Sequence, residues 1–212
     1  EDLKKSIPAL QKLAASKDEF LAAEASFFLA RAHMFGEQFE EALVVLNVVL
    51  QSDKSLNNGH ALFLRGVTES QLLMRKQAIA TLGKYLKDYP NAPERMRVGA
   101  WRHKMLLEQI DAGSISDVAN MMDFSRRKLA LDDTGKKTRK VQDDIVAMLG
   151  KLIEEAEKKE CEACKNCEGE GKPGEGKGSG SGQGQGMGGN TGGNSSGNSI
   201  AARKRIGGPR SP

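Results

Sequence analysis

The residues best suited to chemistry are three cysteines within seven positions, Cys161-Glu162-Ala163-Cys164-Lys165-Asn166-Cys167. Two thiolates separated by two residues can bite one tetrahedral ion, which makes the cluster a candidate zinc ligand set. Three sulfurs leave a structural zinc one ligand short, and an iron–sulfur cluster would also want a fourth cysteine. His33, His60 and His103 have no spacing that offers the missing ligand. Two chains together could supply four or more, so Cys161, Cys164 and Cys167 could link copies through zinc or a disulfide. The plain alternative is a reducible cysteine cluster at a helix end. None of the three lies where a core can form, so no disulfide framework staples this fold, and the redox compartment stays open.

No other constellation suggests catalysis. There is no Ser/His/Asp set and no cysteine with a histidine in its sequence neighbourhood. The acid pairs Asp132-Asp133 and Asp143-Asp144 fall on polar helix ends or faces, where solvation is expected, not acid–base work. A P-loop needs Gly-x-x-x-x-Gly-Lys-Ser/Thr between a strand and a helix, and Gly174-Glu175-Gly176-Lys177-Gly178 has neither neighbour. The expectation is a non-enzyme with no cofactor, zinc at the cysteines being the one candidate.

The elements that must carry any function follow from composition. The chain has 212 residues, and sixteen of its 24 glycines lie after Cys167. Every aromatic lies at or before Phe124. A core needs large apolar side chains, so residues 168–212 are expected to form a disordered Gly/Ser/Asn-rich tail. Through Glu160 the charge is near balance, 25 Lys+Arg against 24 Asp+Glu; from Cys161 it is 7 against 4. The overall +4 is thus a neutral body with a basic end, Ala202-Arg203-Lys204-Arg205, and no aromatics interleave there to stack bases. Neither nucleic acid nor a small-molecule substrate is indicated. No apolar stretch approaches the ~20 residues of a membrane span, and no signal peptide is visible.

From Glu1 to Glu160 apolar residues recur at three and four positions, strict alternation is absent, and good helix formers dominate. Breaks at Gly36-Glu37, Asn57-Asn58-Gly59, Asp88-Tyr89-Pro90, Gly113-Ser114 and Asp132 to Gly135 divide the chain into helices of roughly 13 to 20 residues. The class is all-α. A unit also repeats: Ala30 and Gly66 lie 36 apart, each followed twelve positions later by Ala42 or Ala78 and four further by Leu46 or Leu82. Small residues on both helices of a pair let backbones approach closely.

The stretch Gly36-Glu37-Gln38-Phe39-Glu40-Glu41-Ala42-Leu43 resembles the turn and second-helix start of a tetratricopeptide (TPR) repeat. Ala30, Ala42 and Phe39 match that family's two small residues and aromatic; Gly66, Ala78 and Pro90 match the small residues and closing proline of a second unit. Arg75 stands where Phe39 predicts an aromatic. A third unit is degenerate, with Arg102 in place of its first small residue and Ser114 inside a break. The expected fold is a TPR-like helical-hairpin solenoid of about three repeats over 1–132, the first incomplete. Residues 133–160 form a C-terminal capping or dimerisation helix carrying Val141, Ile145, Met148, Leu149 and Leu152 on one stripe, and 161–167 form the Cys cluster. The segment from Ser125-Arg126-Arg127-Lys128-Leu129 through Glu155 also resembles the C-terminal helix of uncharacterised bacterial TPR proteins that carry low-complexity tails. Cys164 to Gly171 is similar to a single copy of the cysteine–glycine motif of the DnaJ-type zinc region, which needs paired copies.

The TPR resemblance implies a groove lined by first helices, here Glu24, Phe27, Arg31 and Met34, then His60, Phe63, Val67 and Ser70. Phe27 and Phe63 fit the core equally well. The implied function is a non-catalytic scaffold for a protein or peptide partner; the alternative is a metal- or redox-responsive module, with a homodimer through the C-terminal helix or the cysteines. Asp2 to Ser16 aligns with a second helix that lacks its first, and no Met initiates the chain. A fragment or processed product is therefore expected, leaving localisation, and a signal or anchor ahead of residue 1, open.

Overall fold

The structure, a computed structural model, describes residues 5–52 and 54–167, the side chains of 163–167 excepted. Among the described residues there are eight helices and no strand. They are α1 (Ile7–Ala14), α2 (Glu19–Phe35), α3 (Phe39–Gln51), α4 (Asn58–Gln71), α5 (Arg75–Asp88), α6 (Glu94–Gln109), α7 (Ile115–Ala130) and α8 (Lys136–Cys167). Side chains set two of the starts. The Asp18 carboxylate accepts from the Phe20 and Leu21 N–H groups ahead of α2. Ahead of α7 the Asp117 N–H donates to Ser114 Oγ while the Asp117 carboxylate accepts from the Gly113 N–H, so two otherwise orphaned donors are satisfied reciprocally.

The two hairpins α2–α3 and α4–α5 close with the same turn, 36 positions apart. Glu37 (φ 59°) and Leu73 (φ 62°) take the left-handed conformation after the first helix. The next N–H reaches back to an uncapped carbonyl, Gln38 to His33 at 3.0 Å and Met74 to Glu69 at 2.9 Å. This is a Schellman-type stop made without glycine.

Helices α1 to α6 pack in chain order, each on the next, and α6 also touches α4. That is a TPR-like stack of helical hairpins, in which successive units bury apolar faces against one another. Ala30, Ala42 and Ala78 are fully buried, as are Leu46 and Leu82. At Gly66 an added Cβ would lie 2.8 Å from Leu82 Cγ, so this glycine allows a close approach of α4 and α5. Phe27, Ala30, Leu46, Val49 and Ala61 form one core cluster; Leu62, Ala78, Leu82, Tyr85, Ala100 and Leu107 form the next. Each fully buried leucine contributes about 1.5–3 kcal/mol. A carboxylate is also enclosed: Glu69, 1% exposed, accepts from Arg65 Nε at 2.8 Å and Thr81 Oγ1 at 2.6 Å.

The stack changes character after α6. Arg102, at the small-residue position, is exposed, and α6 does not pack along α7. A charged side chain there prevents the backbone approach that closes the earlier hairpins. Helix α7 pairs with α8 instead, through a third copy of the same turn: Asp132 has φ 57° and the Asp133 N–H donates to the Lys128 carbonyl at 2.9 Å. Ser125 is its buried small residue and Val141 its buried partner. The α7–α8 hairpin rests on the turns of the two preceding hairpins. Val118, Met121, Phe124, Val141 and Ile145 bury against Leu72, with Phe39, Leu43, Leu73 and Met74 packed alongside. The last helix was expected to cover the last repeat; it covers this turn edge, because the apolar side chains of Phe39 and Leu72-Leu73-Met74 need burial.

Helix α8 was also expected to end near Glu160. It continues to Cys167, since neither glycine nor proline interrupts that stretch. The tail 168–212 lies outside the described residues. Among the described residues no helix is long and apolar enough to cross a membrane.

Candidate functional site

Two first helices and the crossing α7 build a cleft of about 560 Å³. Helix α2 contributes Arg31, Met34 and Phe35; α4 contributes His60, Leu64, Val67 and Gln71. On α4 these recur at 60, 64, 67 and 71, one helical stripe. Asp123, Arg126 and Arg127 of α7 close one end, beside Glu37 and Phe39 of the first turn.

The charges in the cleft are not equivalent. Arg126 is held by Glu37 at 3.2 Å and Asp123 at 3.3 Å. Arg127 is buried, donates to the Gln71 carbonyl at 2.7 Å, and lies over the Phe39 ring at 5.3 Å. It therefore caps α4 and helps to fasten α7. Arg31 differs: among the described residues no carboxylate lies within ion-pair reach of it. Its guanidinium lies over Phe27 at 5.8 Å and Phe28 at 5.6 Å, which fixes the side chain by cation–π attraction without neutralising it. His60, 5.4 Å from the Phe27 ring, has its pKa lowered by burial first and then by Arg31 and Arg95. The shift favours its neutral form, so among the described residues the cleft presents an apolar floor with Arg31 as its one uncompensated cation.

Of the eight groove residues expected from sequence, Arg31, Met34, His60 and Val67 line this cleft. Phe27 is core, 1% exposed, and Phe63 lies tilted against Tyr85, ring centroids 5.6 Å apart, in the neighbouring core. Glu24 is a clasp: it accepts from Ser55 Oγ at 2.9 Å, the Leu56 N–H at 2.8 Å and Asn57 Nδ2 at 2.7 Å, holding the loop before α4. Ser70 lines a smaller adjoining cavity of about 220 Å³ with His103. Its hydroxyl donates to the Val67 carbonyl at 2.7 Å and so accepts from His103 Nε2 at 2.8 Å. Burial lowers the His103 pKa.

Phe35, Leu64, Gln71 and the α7 side chains were not anticipated. Leu64 and Gln71 continue the His60–Val67 stripe and could have been found by its period; the α7 wall had no local signal. Cys161 is an exposed free thiol, while the Cys164 and Cys167 side chains lie outside the described residues. Among the described residues no group of three or more His, Cys, Asp or Glu side chains could hold a metal ion.

No protein-family model and no curated protein matches the chain. One solved structure is similar, that of nearly identical TPR-like repeats of a kinesin light chain candidate from Podosopora anserina. It is 11% identical with a TM-score of 0.43, covering 71% of this chain and 88% of that one. The hairpin stack itself rests on this chain's own packing.

Proposed function

We propose that the protein is a non-catalytic scaffold that receives a segment of a partner protein in the cleft between α2 and α4. Arg31 is the observation that carries this: a cation held by two rings, with no carboxylate in ion-pair reach among the described residues, beside the apolar side chains of Met34, Leu64 and Val67. Such a site suits a short peptide or helix that offers apolar side chains and one carboxylate. The carboxylate would make a charge-assisted pair with Arg31, and Met34 adapts its shape to the apolar neighbours. The α7 wall limits the length of segment the cleft takes.

The test is a selection of peptides from a random display library against the full chain, followed by affinity measurement on variants. Peptides enriched in an acidic residue beside apolar ones should lose about tenfold or more on Arg31→Glu, and similarly on Met34→Glu. Selected peptides that bind both variants as tightly as the parent would remove the cleft from the function.

A further inference from the structure

Helix α8 is longer than its hairpin requires. Its inner face is used through Leu152, and residues 153–162 are all exposed, with nothing among the described residues packed on them. An isolated helical extension of this length is marginal in water. The outer face nevertheless carries an apolar stripe: Val146 is 71% exposed, Leu149 37% and Ile153 57%. In its middle lies Gly150, helical, with nothing among the described residues within 4 Å of where a Cβ would be. Glycine inside a helix costs about 1 kcal/mol relative to alanine, and no contact among the described residues accounts for it.

Charge along the same stripe is segregated. Arg139, Val146, Ile153 and Glu160 follow one another at steps of seven. The first turn of α8 is basic, with Lys136, Lys137, Arg139 and Lys140; the exposed far half carries Glu154, Glu155, Glu157, Glu160 and Glu162 against Lys158 and Lys159.

We infer that the outer face of α8 pairs with the α8 of a second copy of this chain, antiparallel, about a two-fold axis between Leu149 and Gly150. That register sets Val146 against Ile153 of the second copy and Leu149 against Gly150, where the missing side chain leaves a hole for it. It sets Arg139 against Glu160 at both ends and lays each unsupported half along the other copy's supported half. The contact is isologous, so it closes at two chains. A parallel pair would place Arg139 on Arg139 and Glu160 on Glu160, which like charges oppose.

The experiment is sedimentation equilibrium of the full chain in reductant, so that no disulfide contributes. The parent should reach a dimer as concentration rises. Ile153→Glu, at an exposed position, should give a monomer with unchanged helicity. Arg139→Glu and Glu160→Arg should each weaken the dimer about tenfold, and the two together in one chain should restore it. Gly150→Leu should raise the melting temperature of the monomer yet weaken the dimer, two signs that a structural role alone does not produce. A parent that stays monomeric at every concentration, a dimer indifferent to Ile153→Glu, or charge reversals that weaken singly without mutual rescue would each overturn the pairing.

Discussion

Gly66→Ala sets two comparable effects against each other. In an open helix the alanine is favoured by about 1 kcal/mol, because glycine loses more backbone freedom on folding. Here the new methyl would meet Leu82 Cγ and Cδ2 at 2.8 Å and the Leu82 backbone nitrogen at 3.4 Å. Leu82 is fully buried, so it has nowhere to withdraw. Overpacking of this kind costs about 1–3 kcal/mol, and a contact that includes backbone belongs to the upper part of that range. The net expectation is a loss of about 1–2 kcal/mol, or some 2–8 °C in melting temperature for an ordered region of this size. Urea unfolding followed by circular dichroism measures it. Repeated in a Leu82→Ala background, where the obstructing carbons are gone, the same substitution should stabilise by about 1 kcal/mol. Gly83→Ala is the control, since its nearest neighbour is the flexible Lys104 Cε at 3.6 Å, and it should stabilise outright. If Gly66→Ala stabilises the parent, or costs the same with and without Leu82, close approach at Gly66 is not what joins α4 to α5.

Other perturbations test other parts of the structure. Arg65→Ala leaves the Glu69 carboxylate enclosed with only the Thr81 hydroxyl as partner; it should cost about 2–3 kcal/mol in urea unfolding, while Glu69→Gln, which removes the charge, should cost less. The His103 pKa is lower folded than its ordinary value near 6.5. Between those two values the unfolded chain binds more protons, so stability should fall as pH drops below about 6.5 and level off below the folded pKa. A His103→Gln chain should show a shallower slope in that window, and an unchanged slope would refute the assignment. Asp132→Gly places glycine at an exposed left-handed position and should raise stability by up to about 1 kcal/mol in the same assay.

Much of the repeat architecture was legible because it depends on residue size at fixed intervals. Ala30, Ala42, Gly66 and Ala78 betray close-packed helix pairs however the rest of the sequence varies. Arg75, read as a departure, reaches the Ile110 carbonyl at the end of α6, a contact 35 residues away that no local pattern announces. The third hairpin was obscured because α6 stands between it and the others, so Ser125 does not fall on the 36-residue spacing. The cleft was half legible for the same reason. Its α2 and α4 walls follow helical periodicity, whereas Asp123, Arg126 and Arg127 reach it only through the docking of α7 on Phe39 and Leu72. Phe27 and Glu24 share the face of α2 that was read as groove, but periodicity specifies direction and not depth. One is buried and the other is occupied by a loop.

The seating of the α7–α8 hairpin on two earlier turns has a consequence for cooperativity. A plain array of repeats exchanges energy only between nearest neighbours, so its ends can melt separately from its middle. Here Lys128 bridges Glu40 at 2.6 Å and Asp133 at 2.9 Å, while Arg127 holds the Gln71 carbonyl, tying late residues to both early hairpins. Fraying from that end would have to release both hairpins at once, so residues 19–152 should denature in one step, and amide exchange in α3 and α7 should report the same opening free energy.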